Sequence, residues 1–164
     1  MKLRPLLIST IALILIAFPM FPVYSEVQTT SRNLISGAIP TVYRSSTSRV
    51  SVSPFKMYTP VIVSLNLPSA SNATIFLSVG TFIPAGQCCF GGYLIGYSVD
   101  GGTFVGVCGA ETSRFTNVLI TDTCFTRTTL PAGAHTLGLI VDNTDVGTWM
   151  IEAGSSTAIL VEFN

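Results

Sequence analysis

The sequence has few charged residues. Lys, Arg, Asp and Glu make up only 10% of the 164 residues, whereas a soluble globular domain usually carries about 25%. The formal net charge is zero, and no basic patch or Arg-rich run occurs. This scarcity argues against nucleic acid and against anionic membrane surfaces as partners. A surface so poor in charge suits a subunit that is buried in an assembly or covered by sugar.

Groups that perform catalysis are also scarce. The sequence contains one histidine and no G-x-S-x-G nucleophile elbow. The histidine, His135, begins the alternating set Leu137, Leu139 and Val141, so we expect it to be a strand residue at the edge of a sheet. Nothing in the sequence selects a pair of carboxylates for glycoside hydrolysis. We therefore predict that the protein is not an enzyme and has no catalytic residue.

Metal ligands and cofactor motifs are no better represented. Asp142 and Asp145, with Asn143 between them, carry oxygen atoms that calcium would accept. The simpler interpretation is that these side chains cap a turn. We predict no metal site and no cofactor.

Only one apolar run is long, and it lies at the N-terminus. Lys2 and Arg4 precede an apolar stretch over residues 6–21, and Ser25 precedes a plausible cleavage site. This is the pattern of a secretory signal peptide over residues 1–25. The alternative is an uncleaved anchor, but the run is shorter than the roughly 20 residues that span a bilayer. Cleavage would leave 139 residues with six basic and eight acidic side chains.

The rest of the chain has no convincing helical period, and short runs alternate with a period of two. Val61 to Leu67, Ile75 to Val79 and Thr157 to Phe163 each place apolar residues on one face, with Gly, Pro, Asn or Asp at the boundaries. Asp100-Gly101-Gly102 is a hairpin signal. The pattern predicts an all-β protein, an antiparallel, jelly-roll-like β-sandwich over residues 54–164.

The segment before the sandwich, residues 26–53, is rich in Ser and Thr and has only weak alternation. We expect an N-terminal arm. The arm would complete a neighbour's sheet edge, fold back on its own domain or form a loose leader.

The four cysteines, Cys88, Cys89, Cys108 and Cys124, indicate disulfides in a secreted chain. Neither zinc-site nor redox-dithiol spacing is present. A bond between the adjacent Cys88 and Cys89 would close a strained small ring, so we expect each to bond to a different partner. This leaves two pairings, 88–108 with 89–124 or 88–124 with 89–108.

Two further residues are candidate sites. Asn72-Ala73-Thr74 is a glycosylation sequon, so Asn72 is a candidate glycan attachment site. Trp149 is a candidate ligand contact, because tryptophan often forms the platform on which a sugar stacks.

Three segments resemble a known family: GYSVDGGTF (96–104), LPAGAHTLGLIV (130–141) and STAILVEF (156–163). Over about residues 55–164 the chain resembles the jelly-roll heads of tumour necrosis factor and the complement-type globular domains. The resemblance implies a homotrimer packed through apolar sheet faces, with binding by surface loops. No collagen-like stalk precedes the domain, the four-cysteine pattern has no counterpart in the family, and no functional residue carries over.

These observations predict a secreted or cell-surface glycoprotein that self-associates as a structural subunit of an extracellular assembly, such as a trimeric head, filament or coat. Its principal partner would be further copies of itself, as a trimer or filament, and not nucleic acid. The alternative is a module that binds carbohydrate or a surface receptor. A third alternative, a hydrolase, would need two carboxylates facing a cleft.

Overall fold

The protein folds into β-strands joined by turns. A computed structural model describes residues 41–87 and 91–164, and no helix occurs within those ranges. The signal peptide predicted at residues 1–25 lies outside the described residues. The strands, in chain order, are β1 (Thr41–Ser46), β2 (Val50–Val52), β3 (Met57–Leu67), β4 (Ser71–Phe82), β5 (Gly92–Val99), β6 (Val105–Glu111), β7 (Ile120–Leu130), β8 (Gly133–Asn143), β9 (Trp149–Ile151) and β10 (Gly154–Phe163).

The strands form two antiparallel sheets. In sheet 1, the central β4 pairs with β7 on one side and with β10 and β9 on the other, and β1 and β2 pair with β10 and β9 at the far edge. Thr81 of β4 pairs with both Ile120 and Ile151, so β7 and β9 lie on opposite sides of β4. Sheet 2 has the order β3-β8-β5-β6. The predicted all-β, jelly-roll-like sandwich is confirmed.

The period-two pattern places the apolar side chains between the two sheets. Every second residue of β3, from Val61 to Leu67, is buried, and so is every second residue of β4 from Ala73 to Val79. Because successive side chains in a strand point to opposite faces, one sequence phase supplies the core and the other supplies the outer surface. The core therefore lies between the sheets, as in other sandwiches.

The hairpin between β5 and β6 turns where the sequence predicts it. Asp100 and Gly101 both have positive φ, 53° and 67°, and the Gly102 amide donates a hydrogen bond of 2.8 Å to the Val99 carbonyl. Positive φ at both central residues is the geometry of the type I′ turn that suits the twist of a hairpin.

The segment predicted as an N-terminal arm contains two strands of the sandwich. β1 pairs with β10 from Thr41 to Ser46, β2 pairs with β9, and Val52 is fully buried in the core. Residues 41–53 are therefore part of this chain's own domain, which begins before residue 54. The weak alternation gave little sign of this, because β1 and β2 are short edge strands that bury few side chains.

Within the described ranges, no helix is long and apolar enough to cross a membrane.

Candidate interaction surface

An apolar row crosses the outer face of sheet 1. The registers place Tyr43 of β1 beside Leu160 of β10, Leu160 beside Phe76 of β4, and Phe76 beside Phe125 of β7. The rings of Phe76 and Phe125 lie 5.9 Å apart between centroids. Phe125 is 63% exposed and Tyr43 is 44% exposed. We call these four residues the outer row.

Aromatic side chains interrupt the polar outer side of two neighbouring strands of sheet 1. The outer side of β7 is otherwise polar, with Thr121, Thr123, Arg127 and Thr129, and Phe125 interrupts that series. Phe76 interrupts the outer side of β4 in the same way, between Thr74 and Ser78. Contiguous exposed apolar groups rimmed by polar ones are typical of interaction surfaces.

The outer row has a polar neighbour row on one side and a row of small residues on the other. The polar row consists of Thr41, Glu162, Thr74 and Arg127 in successive register. The row of small residues consists of Ser45, Ala158, Ser78 and Thr123. The surface is thus a flat apolar centre with hydrogen-bonding groups and two opposite charges at its border.

At the end of the face that includes part of the polar row, an open depression of about 560 Å³ is lined mainly by polar residues, namely Asn72, Ala73, Thr74, Arg127, Thr128, Thr129 and Asn164. Asn72, the candidate glycan attachment site, is exposed at its rim. The Asn72 Oδ1 atom accepts a hydrogen bond of 2.9 Å from the Thr129 hydroxyl. The sequon therefore lies on the same face of β4 as Phe76, four residues away.

Trp149, the candidate ligand contact, is instead a core residue. Its side chain is fully buried, and its ring centroid lies 4.9 Å from that of Tyr93. The Tyr93 hydroxyl donates a hydrogen bond of 2.6 Å to Asp122. Burial, together with that hydrogen bond, raises the pKa of Tyr93 far above its usual range. The indole offers no surface to a ligand in this structure, because β9 turns it between the sheets.

Cys108 and Cys124 form a disulfide with their Cα atoms 6.4 Å apart. Cys108 lies on β6, the edge strand of sheet 2, and Cys124 lies on β7, the edge strand of sheet 1, so the bond joins the two sheets. Both pairings expected from the sequence are therefore wrong. Cys88 and Cys89 lie outside the described residues. That they do not bond to each other therefore stays a prediction.

His135 is held at the polar end of sheet 2. Its Nδ1 lies 2.8 Å from Asp100 Oδ2 and its Nε2 lies 3.1 Å from the Pro131 carbonyl. The Thr136 amide donates to the other Asp100 oxygen at 2.7 Å. The hydrogen bond to Asp100 raises the pKa of His135 and lowers the pKa of Asp100. Both ring nitrogens face acceptors, so the pair ties the β5–β6 turn to β8. Neither nitrogen is then available to take a proton from a nucleophile.

The acidic turn after β8 is held by its own side chains. Asn143 is fully buried, and its Nδ2 donates to the carbonyls of Ser53 and Gly147, both at 2.9 Å. Asp145 accepts hydrogen bonds from the amides of Val146 and Gly92. The Asn143 Oδ1 atom also accepts a hydrogen bond from the Asp145 amide. The side-chain oxygens of Asn143 and Asp145 are thus engaged in capping the turn. Within residues 41–87 and 91–164, no three His, Cys, Asp or Glu side chains are grouped to hold a metal ion.

No family model and no curated protein matches the chain. Among solved structures, the chain is similar to "Eiger TNF from S. frugiperda", with 9% identity over 77% of this chain and 92% of that one, at a TM-score of 0.48. It is also similar to the sugar-binding EclA C-terminal domain, with 15% identity over 70% and 78% of the two chains and a TM-score of 0.39. A family 35 carbohydrate-binding module from Clostridium thermocellum is similar with 8% identity, over 74% of this chain and 96% of that one, at a TM-score of 0.39.

A tumour necrosis factor, from the family that the sequence resembles, is thus among the similar structures. Identities this low concern the fold alone, and the sandwich assignment rests on the strands and their pairing. The class of protein that the structure defines is a jelly-roll β-sandwich with one inter-sheet disulfide within the described residues.

The outer row was not identified from the sequence. The alternation places Phe76 on the face opposite Ile75, but the sequence does not show its neighbours in space, because they come from β7 and β10. A local signal was present nonetheless: an aromatic residue in the otherwise polar phase of a strand, at Phe76 and again at Phe125.

Proposed function

We propose that this chain is a self-associating structural subunit of an extracellular assembly and that the outer face of sheet 1 is the contact between copies. The observation that supports this is the outer row, in which Phe125 and Tyr43 are largely exposed across four adjacent strands. Covering such a row with a second copy removes apolar surface from water, at about 25 cal/mol per Å².

The face is large enough for a specific contact. β10, β4 and β7 have 10, 12 and 11 residues and β1 has six. At about 4.8 Å between strands and about 3.3 Å per residue, the four strands give a surface of roughly 600 Å². A stable protein interface buries about 800 Å² on each partner, which is similar to this area once side-chain relief is included. The low charge of the chain also leaves little repulsion between copies.

The extracellular location is supported by the disulfide between Cys108 and Cys124, since such bonds persist in oxidising compartments. It agrees with the signal peptide predicted at residues 1–25. Secretion or display at the cell surface is therefore part of the proposal.

Replacing Phe125 with Ser tests the contact. Phe125 is 63% exposed within one copy, so the substitution should leave the fold almost unchanged and weaken self-association by about tenfold or more, since a buried aromatic contributes a few kcal/mol to an interface. Light scattering after size-exclusion chromatography measures the mass of the assembly, and thermal unfolding measures the fold.

Phe115→Ser is the matched control, because Phe115 is 73% exposed but lies in the loop between β6 and β7 and not in the outer row. It should assemble like the wild type. A wild-type chain that stays monomeric at high concentration would refute the proposal.

A second candidate function is carbohydrate binding at the depression beside Asn72. Its lining supplies amide, hydroxyl and guanidinium groups, the donors and acceptors that sugar hydroxyls need. A glycan array compares the wild type with Asn72→Ala, which removes one lining group. Binding above background that the variant loses would support this function, and an array without binding would exclude it.

A further inference from the structure

Two opposite charges flank β4 in the polar row beside the outer row. Glu162 of β10 and Arg127 of β7 are both in register with Thr74 of β4, on its two sides. Arg127 is exposed and Glu162 is half-buried. They stand one row away from Phe76, and the other members of that row are threonines.

Neither charge is paired within the described part of the chain. The side chains of Arg127 and Glu162 take part in no hydrogen bond or ion pair among the described residues. Just outside β2 and β9 the chain does pair such groups: Arg49 Nε lies 2.7 Å from Glu152 Oε1. A half-buried carboxylate next to apolar side chains is costly when it has no partner, so a partner from outside the chain would stabilise it.

We infer that two copies pair face to face about a two-fold axis parallel to β4, and that Arg127 of each copy binds Glu162 of the other. This inference rests on the proposed self-association and specifies its geometry. It replaces the trimer that the family resemblance implies with a two-fold dimer. It also requires that Asn72, which would face Asn72 of the other copy, carries no glycan.

The register requires this pairing once the axis is chosen. A half-turn about an axis parallel to β4 exchanges its two sides, so β7 of one copy faces β10 of the other. The same rotation leaves positions along the strands unchanged, so each row faces its own equivalent. With the axis directly over β4, Phe76 faces Phe76, Phe125 faces Leu160, and Arg127 faces Glu162 on both sides of the axis. β1, with Tyr43, reaches past β7 of the other copy. Such a contact is self-complementary, as two-fold interfaces are.

The separation suits the side chains. Packed sheets lie about 10 Å apart, which an extended arginine and glutamate together span. The guanidinium presents a fork of donors that a carboxylate can accept in pairs. The dimer would carry two such ion pairs at the border of an apolar centre, where they exclude shifted registers by placing like or unpaired charges opposite each other.

Charge reversal tests the pairing directly. Arg127→Glu places two carboxylates opposite each other at both symmetric positions, and Glu162→Arg places two guanidinium groups there. Each single variant should dimerise about tenfold or more weakly than the wild type. The double variant Arg127→Glu/Glu162→Arg restores opposite charges and should dimerise like the wild type.

A mixture of the two single variants gives the sharpest result. In a mixed dimer, the Arg127→Glu copy presents a carboxylate at both positions and the Glu162→Arg copy presents a guanidinium at both, so both contacts are attractive. The mixture should form a heterodimer under conditions in which each variant alone is monomeric. Analytical ultracentrifugation with one variant fluorescently labelled measures this.

Controls separate this inference from the proposed function. Arg44→Glu and Glu111→Arg make the same charge changes at exposed positions on the opposite phase of β1 and on sheet 2, and both should dimerise normally. If Phe125→Ser weakens assembly but the charge reversals do not, self-association stands and the Arg127–Glu162 pairing is refuted. A wild-type assembly with three times the mass of one chain also refutes the pairing. So does a mixture of the two single variants that stays monomeric. A monomeric wild type refutes both.

Discussion

At the scale of single residues, the pairing of His135 with Asp100 makes stability depend on pH. The hydrogen bond between them is charge-assisted when the imidazole is protonated and the carboxylate is ionised. Both groups are near the surface, so solvent moderates the effect. The hydrogen bond between His135 and Asp100 holds the tip of the β5–β6 hairpin against the start of β8.

The direction in which stability changes with pH follows from the two pKa shifts. The raised pKa of His135 gives stability that is complete below its ordinary value of 6.5 and is lost as pH rises through the folded value. The lowered pKa of Asp100 gives stability that is complete above its ordinary value of 3.8 and is lost as pH falls through the folded value. The contribution should therefore be largest between these two ordinary values.

Melting temperatures measured across this pH range check the prediction. The wild type should lose stability above pH 6.5 relative to His135→Gln, which cannot titrate. Parallel curves for the two proteins between about pH 5 and about pH 9, a range that brackets the ordinary histidine value, would show that the pair contributes nothing.

At the scale of elements, the hairpin of β5 and β6 depends on a close backbone approach at Gly96. The register shifts between Ile95 and Gly96. A Cβ atom at Gly96 would overlap the Val105 carbonyl and the ring of Phe104. Because the obstacle includes backbone, the strand pair cannot relieve it by a change of rotamer alone.

Gly96→Ala should therefore destabilise the protein by about 1–3 kcal/mol, the usual cost of overpacking. Gly109→Ala is the matched control on the partner strand, since the nearest atom to its Cβ would be Leu94 Cδ2 at an ordinary 3.8 Å. Urea unfolding of both variants measures the difference. Equal stability of the two variants would contradict the close approach.

At the scale of the whole molecule, two sheets are held together along one side by a covalent bond. The disulfide between Cys108 and Cys124 joins β6 to β7, the edge strands that have no further neighbour in their sheets. Replacing both cysteines with Ala should cost about 3 kcal/mol in the chain-entropy model, for a sequence separation of 16 residues.

Denaturant unfolding of the double variant measures this cost. Peptide mapping without reductant checks the connectivity in the wild type and should recover Cys108 joined to Cys124. A peptide that joins either of them to Cys88 or Cys89 would contradict the pairing.

Much of the fold could be predicted from the sequence because the information is local. Alternation in β3, β4 and β10 separates inner from outer residues within each strand, and Asp100-Gly101 marks a turn through the backbone freedom of glycine. These properties need only near neighbours in the chain. They identified the all-β class and the core-facing side of these strands.

The candidate site required the tertiary structure because its members come from distant strands. Tyr43, Leu160, Phe76 and Phe125 become one row only through the pairing of β1, β10, β4 and β7. The same pairing brings β6 and β7 to one side of the sandwich, which decides the partner of Cys108, and it turns Trp149 into the core. The amino-acid sequence alone thus determined which face of each strand is apolar. Only tertiary structure decided which strands are neighbours, because many pairings satisfy the same alternation and the packing of both sheets selects one.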